Sequence, residues 1–146
     1  MRIVKAEPDR LAEAVGLAGL LWPGHSSDEL SDELRGVIGS PDAAIFLACW
    51  EERTVGYAQC SIRREYVTGC SSFPVGYLEG IFVCGEFRRN GIAARLLEAC
   101  EAWARGKGCL EFASDCELGN EPSRHFHLGS GFSEAERVIC FVKPLR

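Results

Sequence analysis

The sequence has no run of about 18 apolar residues, so no segment can cross a bilayer as a helix. It has no C-x-x-C pair, which removes the commonest zinc-ribbon and dithiol redox spacings. His125 and His127 stand two apart on an expected helix and so point in divergent directions; no metal site is expected. Positive charge is in short supply: 16 Lys and Arg against 21 Asp and Glu leave a net charge of -5. That balance argues against nucleic acid and anionic membranes as partners and favours a cationic one. The opening MRIVKAEPDR is charged from its second residue and lacks the apolar stretch and cleavage site of a signal peptide. A cytoplasmic location is expected. There the eight cysteines read as buried thiols rather than as a disulfide framework, since Cys49, Cys60, Cys84, Cys100, Cys116 and Cys140 lie inside apolar stretches. No repeat, low-complexity tract or shift in composition marks a second domain, so residues 1–146 read as one domain.

Periodicity supplies the elements. Residues 2–6 alternate like a short strand, and Pro8 and Asp9 open a helical period through Leu11, Val15, Leu17 and Leu20. The segment Leu21-Trp22-Pro23-Gly24-His25-Ser26 breaks that helix, and Ser27 is placed to cap a second one through Leu30, Leu34 and Ile38. Residues 43–50 and 54–66 flank the turn Glu51-Glu52-Arg53 as a hairpin. Residues 75–83 are the best candidate for a buried central strand. A helix follows with Ile92, Leu96, Leu97, Cys100 and Trp103 on one face. Residues 110–116 read as a short strand, 121–128 as a short helix and 135–142, rich in Val, Ile and Phe, as a closing strand. The order is that of a mixed α+β chain.

Two features carry chemistry. The first is Arg88-Arg89-Asn90-Gly91, which lies between the central strand and the helix beginning at Ile92 and Ala93. Free amides and the dipole at a helix start attract phosphate, the arginines add charge, and Gly91 lets an anion approach the backbone. The second is Glu79, a carboxylate in an otherwise apolar strand whose burial unpaired would cost several kcal/mol. Either it meets a cationic ligand together with Asp115 on the neighbouring short strand, or it pairs with a buried arginine such as Arg63.

Arg88-x-x-Gly91-x-Ala93, set between strand and helix, resembles the acetyl-CoA loop of the GCN5-related N-acetyltransferase (GNAT) superfamily. Asn120-Glu121-Pro122-Ser123, followed by Phe126, His127, Gly131 and Phe132, resembles that superfamily's later segment. Residues 77–83, 111–116 and 138–141 are similar to the aminoglycoside 6'-N-acetyltransferases, and the likeness covers nearly the whole chain. The resemblance implies a GNAT fold: a central mixed, mostly antiparallel sheet whose fourth and fifth strands splay apart, flanked by helices. It implies acetyl-CoA as co-substrate, an aminoglycoside antibiotic as acceptor, and a homodimer. By the same resemblance the main chain of Ile81, Phe82 and Val83 binds the acetyl and pantetheine groups. Arg88, Arg89, Asn90, Gly91, Ile92 and Ala93 then hold the pyrophosphate, and Asn120 holds the pantetheine arm. Where the superfamily often has a tyrosine that protonates the leaving thiolate, this chain has His127.

For the acceptor, the resemblance and the negative charge together point to Trp22, His25, Tyr66, Glu79, Asp115 and Glu136. Trp22 reads equally as a core residue and as a platform for a sugar ring. An ammonium cannot attack a thioester until it loses a proton; Asp115 is the first choice to receive it and Glu79 to orient the amine. Direct attack is expected rather than an acetyl-enzyme at Cys84, which has no adjacent histidine in the sequence. Two other readings are an N-acetyltransferase acting on a polyamine, an amino acid or a protein amine, and a CoA-binding sensor without turnover.

Overall fold

Alternation along the strands decides which helix packs on which face. The computed structural model describes residues 1–146. Its sheet runs β1 (Arg2–Lys5), β2 (Ala43–Trp50), β3 (Arg53–Arg63), β4 (Val75–Val83), β5 (Phe112–Ala113), in that spatial order. In β2, Ala44 and Ala48 join a core with Ile92, Leu96, Leu97 and Cys100 of helix α3 (Ile92–Gly106). The intervening Ile45 and Leu47 join Tyr57 in a second core with α1 (Leu11–Leu21) and α2 (Ser27–Gly39). Both faces of the sheet are thereby covered, the usual solution for strands apolar on both sides. Ser26 rather than Ser27 caps α2, its Oγ accepting the Glu29 N–H at 3.1 Å.

The first four strands are antiparallel, while β4 and β5 are parallel and joined through α3. Two departures from regular pairing shape β4. The β3–β4 ladder pairs Cys60 with Leu78 and Gln59 with Gly80, which leaves Glu79 unpaired as a bulge. The bulge reverses the alternation: Leu78 and Val83 both belong to the α3 core, although five positions apart, and Phe82 packs on the other. The second departure is on the opposite edge, where β5 pairs only Gly76 with Phe112 and Tyr77 with Ala113. From Glu79 to Val83, β4 has β3 on one side and no strand on the other. This is the expected splay.

Two glycines permit close approaches to β4. A Cβ at Gly76 would stand 2.5 Å from Phe112 Cδ1 and 2.7 Å from Ala104 Cβ; one at Gly80 would stand 2.6 Å from Trp22 Cζ2. Trp22, at the end of α1, therefore lies against the strand beside Glu79.

Four further sequence expectations are corrected. The strand expected at 54–66 runs over Arg53–Arg63, which leaves Tyr66 in the loop beyond its end. The strand expected at 110–116 is confined to Phe112–Ala113. The closing strand expected at 135–142 does not form: residues 133–146 carry no helix or strand and take part in no main-chain hydrogen bond. A strand exists only against a partner, and β5 is too short to offer one within this chain. Finally, Cys49, Cys60, Cys100 and Cys109 are buried, but Cys84 is only partly so, and Cys116 and Cys140 are exposed because they lie on these unpaired segments. No helix is long and apolar enough to cross a membrane.

The two kinds of glycine site predict opposite substitutions. Gly76→Ala should lower stability by about 1–3 kcal/mol through overpacking. Gly16→Ala, in mid-α1 with nothing within 4 Å, should raise it by about 0.5–1 kcal/mol. Urea unfolding of both variants checks the contrast.

Candidate active site

The bulge turns Glu79 toward the end of β3. There Arg63 Nη2 donates to both carboxylate oxygens, at 2.6 and 3.1 Å, and the Ser61 hydroxyl lies 3.4 Å from Oε1. The same guanidinium stacks on Tyr77, with Cζ 3.4 Å from the ring centroid. The Tyr77 hydroxyl in turn donates to Asp115 Oδ2. Burial first, and then the bond to Asp115, push the Tyr77 pKa up, so the phenol stays a proton donor. Of the two readings of Glu79, the pairing with Arg63 is the one seen, although that arginine is half-exposed rather than buried; through Arg63 and Tyr77 the carboxylate is also linked to Asp115.

Next to this cluster opens a cavity of about 980 Å³ whose walls include Arg63, Tyr66, Tyr77, Asp115, Asn120 and Glu136. Glu79, Trp22 and His25 are not among its walls. Trp22 packs on Gly80 and edge-on to Tyr57, ring centroids 6.1 Å apart, so it is a packed residue that also borders Glu79. His25 is exposed, 3.7 Å from Glu29, and joins none of the cluster. Tyr66 and Glu136 are exposed, and Glu136 forms no ion pair. The loop following Tyr66 is held beside β5 by Glu111, which accepts the Ser71 N–H at 2.9 Å and the Ser72 hydroxyl. Those bonds, the Ser72 hydroxyl foremost, hold the Glu111 carboxyl below the usual carboxylate range.

At the other end of β4, Arg89 (φ 66°) and Gly91 (φ 72°) adopt left-handed conformations, and α3 begins at Ile92. The N–H groups of Arg89, Asn90, Gly91, Ile92 and Ala93 bond to no backbone carbonyl, and the space where a Gly91 Cβ would stand is open to 4 Å. Two side chains brace this concavity. Arg88 Nε donates to the Val83 carbonyl at 2.9 Å, and Asn90 Nδ2 donates to the carbonyls of Phe87 and Arg88 at 3.0 and 3.2 Å. Arg89 is exposed and forms no ion pair, leaving its charge for a ligand. Free amides at the head of a long helix suit a pyrophosphate, and the strand edge left open at Ile81, Phe82 and Val83 suits an extended amide-bearing arm. The residues present therefore fit acetyl-CoA. Asn120 Oδ1 caps helix α4 (Glu121–Gly129) through the Ser123 N–H at 3.3 Å, so only its amide nitrogen remains for a ligand.

His127 is held in one orientation. Nδ1 lies 2.7 Å from the Ser123 carbonyl, which can only accept, so Nδ1 carries a hydrogen, and Nε2 lies 2.7 Å from the Ser114 hydroxyl, which also reaches the Leu78 carbonyl at 3.4 Å. His25 faces Glu29 and His125 faces Glu121. All three histidines are engaged away from Cys84, which leaves that thiol without a base.

Sequence reading missed the bulge and the part played by Tyr77. The signal for Tyr77 was its place two residues before Glu79 in one strand. No local signal exists for the bulge, because it depends on the register of β3.

Residues 12–132 match the acetyltransferase (GNAT) family. The chain is 38% identical over 145 residues to an aminoglycoside N(6')-acetyltransferase type 1 of Acinetobacter genomosp. 13, covering 99% of each. It is 42% identical over 128 residues to one from Salmonella typhimurium, covering 88% of each. Among solved structures it resembles AAC(6')-Iy bound to the bisubstrate analogue CoA-S-monomethyl-acetylneamine, with a TM-score of 0.95, 39% identity and coverage of 99% of this chain and 98% of that one. Another structure of AAC(6')-Iy, in complex with CoA, superposes with a TM-score of 0.96. The parallel β4–β5 pair that opens beyond Tyr77, the free amides before α3 and these likenesses agree: this chain belongs to the GNAT acetyltransferase family.

Proposed function

We propose that the chain is an aminoglycoside 6'-N-acetyltransferase that moves an acetyl group from acetyl-CoA to the 6'-amine of the antibiotic and so confers resistance. The observation that carries the reading is the linkage of Glu79 and Asp115 through Arg63 and Tyr77 beside the open stretch of β4. Two joined carboxylates next to an acyl site suit a small polycation better than a lone peptide N-terminus. The names of the relatives support the same substrate. Residues 1–146 act as one acetyltransferase domain, in the cytoplasm, where the acidic surface has no call for nucleic acid or anionic membrane.

Acetyl-CoA, when bound, supplies an acetyl group activated as a thioester. Arg89 and the amides of residues 89–93 hold its pyrophosphate, with Arg88 and Asn90 fixing the loop. The Asn120 amide nitrogen and the main chain of Ile81, Phe82 and Val83 hold the arm. Amides on the open edge of β4 also stabilise negative charge developing on the acyl oxygen. Asp115, with Oδ2 fixed by Tyr77, receives the acceptor's proton on its free oxygen. Glu79 orients the amine. Tyr66 and Glu136, on the cavity walls, complete the acceptor side, while Trp22 backs the strand at Gly80 and His25 stands apart. The amine attacks directly, since Cys84 lacks an activating base.

A homodimer completes the assembly. Val138, Ile139, Phe141 and Val142 are 59–94% exposed on a segment with strand composition and no main-chain partner, an arrangement a second copy would cover.

Thiol release is expected from acetyl-CoA with kanamycin-type drugs bearing a 6'-amine, and not with their 6'-hydroxyl counterparts, spermidine or a peptide N-terminus. Turnover with spermidine or peptide alone would discard the substrate; silence with every amine would favour a sensor. Asp115→Asn should lower kcat by roughly 100-fold or more while the acetyl-CoA KM stays nearly constant. Arg89→Ala should raise the acetyl-CoA KM roughly 3–10-fold at unchanged Tm, whereas Arg88→Ala should also lower Tm because it frees Val83. Light scattering should give about twice the 16.0 kDa chain mass, reduced to one chain by Ile139→Asp.

A further inference from the structure

Arg63 is a cation placed between the two carboxylates that the proposed acceptor needs. Its Nη2 occupies both oxygens of Glu79, its face covers the Tyr77 ring, and Tyr77 leads to Asp115. An ammonium from the acceptor would make the same contact with Glu79 that this guanidinium already makes. Both cannot take the same lone pairs at full strength, so one must yield.

The local structure favours a side chain that yields. Arg63 is the last residue of β3, and its side chain is 45% exposed against 22% for Glu79. Its long stem can carry the charge into water without any change in backbone, and a half-exposed ion pair is weak enough to be exchanged. Glu79 cannot follow, since it sits on the bulge between paired residues on either side. An acceptor with several ammonium groups offsets the lost Arg63 contact through Asp115 and the rest of the cleft; an amine with a single charge has no second contact to offer.

We propose that Arg63 is a displaceable counter-charge that sets the affinity threshold of the acceptor site: it occupies the Glu79 carboxylate in the free enzyme and leaves it when an acceptor ammonium docks, so that amines with few other contacts are held too weakly to react. This rests on the proposed acceptor class. Arg63 is a stand-in for the substrate's charge, present when the substrate is not. It keeps the two acidic groups from repelling each other in the empty cleft, and every acceptor must displace it.

The test compares wild type with Arg63→Gln and Arg63→Met, the latter keeping the apolar stem on Tyr77. Each is also made in a Glu79→Gln background. KM and kcat are measured for a 6'-amino aminoglycoside, and calorimetric affinity for that drug and for a simple 6-amino-6-deoxyglucoside. Tm and the acetyl-CoA KM report on folding. Both single variants should bind the singly charged sugar and the drug more tightly by a similar factor, roughly 3–10-fold, at unchanged acetyl-CoA KM. The gain should vanish in the Glu79→Gln background, because Arg63 acts through that carboxylate. An equal gain without Glu79 would reduce the effect to net charge and overturn the inference. Weaker drug binding in both variants would overturn it too, making Arg63 a direct contact. Wild-type silence toward every 6'-amine would instead overturn the proposed function, and this inference with it.

Discussion

The parting of β4 from β5 is the constraint from which the site follows. Two residue pairs hold the strands together at Gly76 and Tyr77, and beyond them β4 keeps only β3 as a neighbour. An unpaired strand edge inside a protein is costly unless something satisfies it. Here the open edge runs from the acidic cluster to the amide-lined concavity before α3, so the two reactants of a transfer reaction can meet along one strand. The packing around β4 preserves the gap. Phe112 is pressed against Gly76, Trp22 against Gly80, and Arg88 clamps the Val83 carbonyl.

Several residues serve the fold and the site at once. Asn90 braces the loop whose amides stand free, Asn120 caps α4 with one side of its amide, and Tyr77 is both a wall for Arg63 and a donor to Asp115. Such double use makes the cleft preorganised: its hydrogen-bonding groups are fixed by bonds made before any ligand arrives. His127, locked between Ser123 and Ser114, belongs to the same scaffold.

What could be read from the sequence was local. The period of α1 to α3, the apolar run of β4 and the basic, glycine-bearing start of α3 all declare themselves within a few residues. So did the acidic anomaly at Glu79, together with its two competing partners. What could not be read was set by neighbours distant in sequence. The strand at 110–116 has the composition of seven paired residues but pairs only where β4 stays close, and the segment at 135–142 has strand composition with nothing in its own chain to pair with. The exposure of Cys116 and Cys140 follows from the same two facts. The bulge is the clearest case, since no property of Glu79 itself distinguishes a bulged from a paired position.

That bulge amounts to one surplus peptide unit in β4. Remove it, and Leu78 and Gly80 would become successive residues opposite Cys60 and Gln59 in an ordinary ladder, with Ile81, Phe82 and Val83 kept opposite Ala58, Tyr57 and Gly56 on the faces they already occupy. The fold could survive such a deletion without a change of register, yet the carboxylate would be gone. Drift by substitution can tune this cleft, but loss of that one codon would take away both the carboxylate and the bulge that presents it, so insertions and deletions in β4 should be far rarer among functional descendants than in the loops on either side.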